Sequence, residues 1–144
     1  MNGVIERIRV YPIKGEAGRE LAEARLIENS GIEGDRHAHA KGGEKQLSLL
    51  LLVENRERQE EKGLCFARFR ENITIRASIP VFLAPGARID VGETALEITA
   101  ENKHCHDECA VYRTGKTCTL VGRKLFAKVL KGGVISLGES VSSL

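Results

Sequence analysis

The chain has 144 residues, of which 42% are hydrophobic and 29% charged, and its formal net charge is +2. This length is sufficient for one domain whose core needs neither disulfides nor a metal to fold. The small net charge, the scattered basic residues and the 4% of aromatic residues argue against a nucleic-acid partner. No apolar run approaches a membrane span, and the first residues lack a basic-then-apolar leader. We therefore expect a cytoplasmic protein without membrane contact.

The first third of the chain predicts strands followed by a long loop. Residues 4 to 10 alternate between apolar and polar side chains, which indicates a strand that ends before Pro12. Residues 21 to 28 are ambiguous between strand and helix, and their alternation favours a second strand. Residues 29 to 45 are polar and rich in glycine, which is typical of a functional or mobile loop. No repeat, low-complexity tract or linker interrupts the chain, so we predict a single domain over residues 1–144.

Residues 48 to 62 are predicted to form the one clear helix. Ser48 has the position of an N-cap and Gly63 that of a C-cap, and strong helix formers lie between them. Beyond them, turn residues separate short apolar pieces at 72–76, 81–83, 87–91, 94–99 and 134–141. Residues 125 to 130 fit either a strand or a helix. We predict a mainly β fold, a small β-barrel or sandwich of short strands with helical decoration.

The histidines and most of the cysteines are concentrated in two stretches. All four histidines form His-x-His pairs, which are His37/His39 and His104/His106. Three of the four cysteines lie beside the second pair, at Cys105, Cys109 and Cys118. In an extended backbone both imidazoles of a pair face one side, and imidazole and thiolate are ordinary zinc ligands. However, these cysteines lack the paired short spacing typical of zinc modules.

Two alternatives therefore stay open beside a reactive thiol. One is a non-catalytic metal-binding module, with zinc held by His37, His39, Cys105, His106 and Cys109. The other is that the histidines are exposed loop residues and the cysteines small buried side chains.

Cys105 is the candidate nucleophile. Neighbouring cations or a helix N-terminus lower the pKa of a thiol and favour the reactive thiolate, and Lys103 and His106 are close in sequence. A short helix near residues 106–113 would place Cys105 at its positive end. Cys109 would then be near enough to form a resolving disulfide or a persulfide pair.

Two further segments could bind an anion. Residues 31 to 37 combine glycine-freed backbone amides with the Asp35 carboxylate and the Arg36 guanidinium. Arg68 and Arg70 have strand-like spacing, which fits either a phosphate site or a solvated strand edge.

Several motifs follow one another in a specific order through nearly the whole chain. They are Lys14-Gly15, Gly31 to Ala38, Gln46 to Leu50, Glu71 to Ile73, Gly86, Val91-Gly92, Leu96 to Thr99, Lys103 to His106, Cys109 to Tyr112, Cys118, Phe126 to Gly133 and Gly138-Glu139. In this order they resemble the MOSC domain, named for the C-terminal domain of molybdenum-cofactor sulfurases, in its small stand-alone bacterial form.

The resemblance implies a β-barrel in which residues 125 to 130 form a strand. It implies that Cys105 corresponds to the family's cysteine, for which sulfur carriage as a persulfide and participation in a molybdenum-cofactor pocket have been proposed. Several relatives act in the reduction of N-hydroxylated compounds. Sulfurase relatives pair this domain with a pyridoxal-phosphate desulfurase, so a cysteine desulfurase or a molybdenum-cofactor enzyme is the expected partner.

We therefore predict a MOSC-like sulfur carrier or molybdenum-cofactor-binding protein. Cys105 would accept sulfur or bind molybdenum, assisted by Cys109 and His106. The predicted pocket for the cofactor, molybdopterin, consists of Gly34, Asp35, Arg36, His37, His39, Arg70, Asn72, Lys103 and Cys118. The alternatives are the zinc-binding module and a ligand-binding domain without turnover.

Overall fold

The computed structural model describes residues 2–38, 42–53, 71–77, 83–101 and 124–143 of the chain. These ranges contain eleven β-strands and no helix. The strands are β1 (Asn2–Val10), β2 (Arg19–Leu21), β3 (Glu23–Ile27), β4 (Gly31–Ile32), β5 (Leu47–Val53), β6 (Ile73–Ala77), β7 (Arg88–Val91), β8 (Thr94–Glu101), β9 (Lys124–Lys131), β10 (Gly133–Ser136) and β11 (Ser140–Ser143).

Seven of the described strands close into a barrel. Their order is β11-β7-β8-β9-β5-β6-β1, and pairing between β1 and β11 completes the ring. All neighbours in the ring are antiparallel except β5 and β6, which run parallel. β2 pairs with β1 outside the ring, and β10, β3 and β4 form a separate small sheet.

The barrel interior is filled by aliphatic side chains that recur at every second strand position. On β5 these are Leu47, Leu49 and Leu51, and on β6 they are Ile73 and Ile75, all buried in one cluster. Side chains of a strand alternate between its two faces, so this spacing lines one face with apolar groups. The alternation seen in the sequence is therefore the pattern of inward-facing residues.

The helix predicted over residues 48 to 62 is wrong where the structure describes it. Leu47–Val53 forms β5, which pairs with β6 on one side and with β9 on the other. Periodicity does not separate a buried strand from a helix in a short leucine run, and helix propensity is worth less than about 1 kcal/mol per residue. Pairing on both edges decides the outcome. Residues 54 to 62 and the helix predicted near 106–113 lie outside the described residues.

Most of the other strand predictions agree with the structure in position, with three differences. The strand expected at residues 21 to 28 is β3, and Leu21 ends the separate strand β2. A turn at Gly138 divides the piece expected at 134 to 141 into β10 and β11. Residues 125 to 130 lie in β9, as the family resemblance implies. Leu83 lies outside any strand, and 81 and 82 are not among the described residues.

In the described ranges, no helix is long and apolar enough to cross a membrane.

Candidate functional site

The candidate site lies at one end of the barrel, where three strands bring polar residues together. β5 and β6 are parallel, so both begin at this end, and the antiparallel strand β1 finishes there. The loop of residues 31–38, which we call the site loop, is joined to the end of β1. The Arg36 N–H donates to the Tyr11 carbonyl (3.2 Å), and the Tyr11 N–H donates to Asp35 Oδ1 (2.8 Å).

Asp35 is the centre of this arrangement, and its side chain is 0% exposed. Besides the Tyr11 N–H, Oδ1 accepts a hydrogen bond from Asn72 Nδ2 (3.2 Å). Oδ2 accepts the His37 backbone N–H (3.1 Å) and lies 3.4 Å from His37 Nδ1. A buried carboxylate requires such partners, because an unpaired one is expensive to remove from water. The predicted site residues Asp35, His37 and Asn72 therefore form one network.

Asn72 connects the network to the barrel. Its Oδ1 accepts hydrogen bonds from the backbone N–H of Ser48 (2.9 Å) and from Ser48 Oγ (3.2 Å). Its Nδ2 donates to the Arg9 carbonyl (3.1 Å) as well as to Asp35. The residue is only 2% exposed. One amide side chain thus ties β1, β5 and the site loop to the start of β6.

A second layer of contacts lies around Tyr11. The Tyr11 hydroxyl donates to the Glu71 carbonyl (3.3 Å), and Thr74 Oγ1 donates to Glu71 Oε1 (3.2 Å). Partial burial lowers the pKa of the Arg9 guanidinium. The side-chain hydrogen bond to Tyr11 and the nearby carboxylates of Glu71 and Glu20 raise it, and the net shift of the pKa is upward. Arg9 is therefore a permanent cation beside the network.

Gln46 anchors the loop that precedes β5. Its Oε1 accepts the Val129 N–H (2.9 Å), while Nε2 donates to Asn29 Oδ1 (3.1 Å) and the Gly43 carbonyl (2.9 Å). Gln46 is 0% exposed. These contacts fasten both ends of the segment that contains the site loop to the barrel strand β9.

A cavity of about 250 Å³ opens beside the network and is rich in positive charge. It is lined by Tyr11, Ile13, Lys14, Gly15, Arg36 and His37. Two of these side chains are permanent cations, one is an imidazole, and no carboxylate is among the described lining residues. Arginine and lysine in this arrangement suit phosphate or carboxylate oxygens. The cavity can therefore bind an anion.

A larger cavity, of about 430 Å³, is lined by Glu6, Arg7, Ile8, Glu20, Leu21, Ala22 and Leu137. Its arginine is already paired, since Arg7 Nε lies 3.1 Å from Glu20 Oε1. Two carboxylates in the wall oppose the entry of an anion. The smaller cavity is therefore the better candidate for an anionic ligand.

The structure brings together four of the predicted site residues. Arg36 and His37 line the cavity, Asp35 is buried behind His37, and Asn72 bonds to Asp35. Gly34 is exposed in the same turn and is not among the cavity's lining residues. The other predicted residues lie outside the described ranges, namely His39, Arg70, Lys103, Cys105, His106, Cys109 and Cys118. Among the residues that are described, no three His, Cys, Asp or Glu side chains are grouped to hold a metal.

Sequence reasoning missed the roles of Ser48, Gln46 and Tyr11. Ser48 was assigned to a helix cap, whereas it lies on β5 and bonds to Asn72. A signal was present for Gln46 and Ser48, because polar residues at the start of a buried apolar strand need hydrogen-bond partners.

Comparison with solved structures shows the fold. The chain is similar to the YuaD protein from Bacillus subtilis, with a TM-score of 0.66 and 18% identity over 98% of this chain and 94% of that one. It is also similar to YiiM from Escherichia coli, with a TM-score of 0.56 and 17% identity over 100% and 70% of the two chains. For YiiM from Geobacillus stearothermophilus the TM-score is 0.50 and the identity 13%, over 99% and 73%.

These similarities support a small β-barrel fold. At such low identity they concern the fold alone. No family model matches the sequence, and no curated protein matches it significantly.

Proposed function

We propose that this chain is a MOSC-like protein that binds the phosphate-bearing end of the molybdenum cofactor in the 250 Å³ cavity, with Cys105 as sulfur acceptor or molybdenum ligand. The observation that carries the binding proposal is the convergence of Lys14, Arg36 and His37 on one cavity whose described lining residues include no carboxylate. The MOSC-like fold and the motif order in the sequence support the proposed role of Cys105.

The donor set fits the anionic part of such a cofactor. The guanidinium of Arg36 and the ammonium of Lys14 match phosphate oxygens in charge and in hydrogen-bonding capacity. The cavity is smaller than the roughly 300–1,000 Å³ of pockets that enclose a whole drug-sized ligand, so it suits the phosphate group and not the complete pterin. When bound, the cofactor would supply oxygen-atom and electron-transfer chemistry at molybdenum.

The residues of this chain would bind and orient the ligand. Asp35 holds the site loop against the ends of β1 and β6, so the backbone at Arg36 and His37 is fixed before a ligand arrives. Preorganised donors cost little reorganisation on binding, which raises affinity. Hydrogen bonds from the buried Asn72 keep this support rigid.

Cys105 lies outside the described residues, and its proposed role rests on the motif order. A desulfurase persulfide would transfer its outer sulfur to the Cys105 thiolate and leave as the desulfurase thiolate. This chemistry needs a reduced thiol, which fits the cytoplasmic location that we propose.

Binding is tested anaerobically with cofactor released from a molybdoenzyme. Wild-type protein, Arg36→Ala and Arg19→Ala are mixed with the cofactor and desalted, and bound molybdenum and pterin are measured. Arg19 is an exposed arginine on β2 outside the cavity lining, so its loss controls for net charge. We expect near-stoichiometric retention by the wild type and by Arg19→Ala, and about tenfold weaker binding by Arg36→Ala, since one charge-assisted contact contributes about 1.5–3 kcal/mol.

Sulfur transfer is tested separately by intact mass. Wild-type protein and Cys105→Ala are incubated with a cysteine desulfurase and cysteine, without reductant. An increment of one sulfur atom on the wild type alone supports the carrier role. Equal increments on both proteins, or none on either, contradict it.

In the binding experiment, loss of cofactor binding by Arg19→Ala and Arg36→Ala alike would contradict the cavity as the binding site.

A further inference from the structure

We propose that His37 is a proton acceptor for the ligand bound in the 250 Å³ cavity and that Asp35 is the residue that positions it. This inference deepens the proposed function, because the ligand is the anion that Lys14 and Arg36 bind. It rests on the paired geometry of Asp35 and His37 and on the position of His37 in the cavity wall.

The contact with Asp35 favours the proton on one ring nitrogen of His37. Both carboxylate oxygens already act as acceptors, Oδ1 from Tyr11 and Asn72 and Oδ2 from the His37 backbone. His37 Nδ1 faces Oδ2 at 3.4 Å. A nitrogen that faces such an acceptor is the one that bears the hydrogen, as in other carboxylate–histidine pairs. Neutral His37 therefore carries its proton on Nδ1.

The other nitrogen, Nε2, is then left with a lone pair. Nε2 lies on the side of the ring away from Nδ1, and the His37 side chain is 46% exposed while that of Asp35 is 0% exposed. One nitrogen thus faces a buried carboxylate, while the half-exposed His37 side chain lines the cavity. This division is the arrangement that a histidine general base requires.

The neighbouring charges define the ligand class. Arg36 and Lys14 attract an anion, whereas a lone pair on Nε2 attracts an acidic hydrogen. The ligand is therefore an anion that also carries a weakly acidic O–H or S–H group. The proton moves from that group to Nε2, and its bonding electron pair stays on the ligand's oxygen or sulfur. The resulting imidazolium keeps its Nδ1–H on Asp35, which balances the new positive charge.

Asp35→Asn reverses the tautomer while nearly preserving shape. Two donors, the Tyr11 N–H and Asn72 Nδ2, face the Oδ1 position, and one backbone donor faces the Oδ2 position. The amide oxygen of the variant is therefore favoured at Oδ1, and its NH₂ group faces His37. That group donates to Nδ1, so the proton of His37 moves to Nε2 and the lone pair at the cavity is lost.

The test combines ¹⁵N NMR of the imidazoles with acylation of His37 by diethyl pyrocarbonate, mapped by peptide mass. Wild-type protein should show the Nδ1–H tautomer and rapid acylation, which pyrophosphate slows by filling the cavity. Asp35→Asn, checked for folding by circular dichroism, should show the Nε2–H tautomer. Its acylation should be at least about tenfold slower than that of the wild type. Glu33→Gln, an exposed carboxylate in the same loop paired with Arg25, should behave as wild type.

Each result has a distinct meaning. An Nε2–H tautomer in the wild type overturns the proton-acceptor role even if the anion binds, and this measurement needs no variant to fold. An Nδ1–H tautomer without protection by pyrophosphate leaves Asp35 as a positioning residue but overturns the ligand half of the inference. That second result also counts against the cavity in the proposed function, whereas the first does not.

Discussion

Asn72 and Ser48 bond reciprocally across the parallel starts of β5 and β6. The Ser48 N–H donates to Asn72 Oδ1 (2.9 Å), and the Asn72 N–H donates to Ser48 Oγ (3.0 Å). The pair fixes the register of the ring's parallel strands and leaves Asn72 Nδ2 for Arg9 and Asp35. One contact thus joins barrel closure to the geometry of the candidate site.

Replacing Asn72 should therefore weaken the whole fold. Asn72→Ala removes two acceptor and two donor contacts at a 2% exposed position and leaves buried partners unpaired. Unpaired buried groups cost about 1–3 kcal/mol each, so we expect a loss of about 3 kcal/mol after partial relaxation. Urea denaturation measures this loss. Asn2→Ala, at an exposed position, should change stability by less than about 0.5 kcal/mol; equal effects would contradict the role of Asn72.

Gln46→Leu tests the anchor of the preceding loop. The variant keeps a similar volume but leaves the Val129 N–H and the Gly43 carbonyl without their partner. We expect a loss of about 2–3 kcal/mol, since the position is fully buried. Hydrogen exchange at the amide of Val129 should also accelerate. Glu44→Leu, an exposed substitution two residues away, is the control, and matching exchange rates in both variants would argue against the anchor.

The two glycines of the site loop should respond differently to alanine. Gly31 has φ +143°, and an added Cβ would lie 2.6 Å from the Gln46 carbonyl oxygen. Gly34 has φ +90° but open space around it. Backbone strain of this kind costs about 1–3 kcal/mol, and the clash with rigid backbone adds to it at Gly31 alone. In thermal denaturation, the melting temperature of Gly31→Ala should be lower than that of Gly34→Ala. The opposite order would show that the close contact is absent.

Alanine substitutions along β5 distinguish a strand from a helix. Leu49 and Leu51 are 0% and 3% exposed and belong to the core, whereas Leu52 is half-buried. We expect Leu49→Ala and Leu51→Ala each to cost about 3 kcal/mol, within the range for buried leucines, and Leu52→Ala clearly less. In a helix, residues three apart would share a face, so Leu49 and Leu52 would respond alike. Chemical denaturation of the three variants separates the two outcomes.

Much of the architecture could be predicted from local pattern. β1, β6, β7 and β8 follow the alternation and turn residues of the sequence, because an inward-facing position recurs every second residue. β5 could not be predicted in this way. Its leucines are good helix formers, and only its pairing with β6 and β9 makes the extended form more stable.

The candidate site could be predicted in part. The charge and glycine content of residues 31 to 37 predict an anion-binding loop, and Arg36 and His37 of this loop line the 250 Å³ cavity. The Asp35 side chain is buried and accepts hydrogen bonds from neighbouring groups, and Asp35 is not among the described residues that line the cavity. A composition pattern cannot separate a carboxylate that touches ligand from one that orients a neighbour, because burial depends on distant strands.

The sequence by itself determined a mainly β chain, most strand positions, and a glycine-rich loop with the chemistry to bind an anion, because these depend on local alternation and side-chain type. Tertiary structure alone decided that β5 is a strand, that Asn72 reaches Asp35 across 37 positions of the chain, and that Asp35 faces His37. Those outcomes depend on hydrogen bonds between segments far apart in sequence. Local propensities of a fraction of a kcal/mol per residue are outweighed when barrel closure supplies many such bonds together with burial.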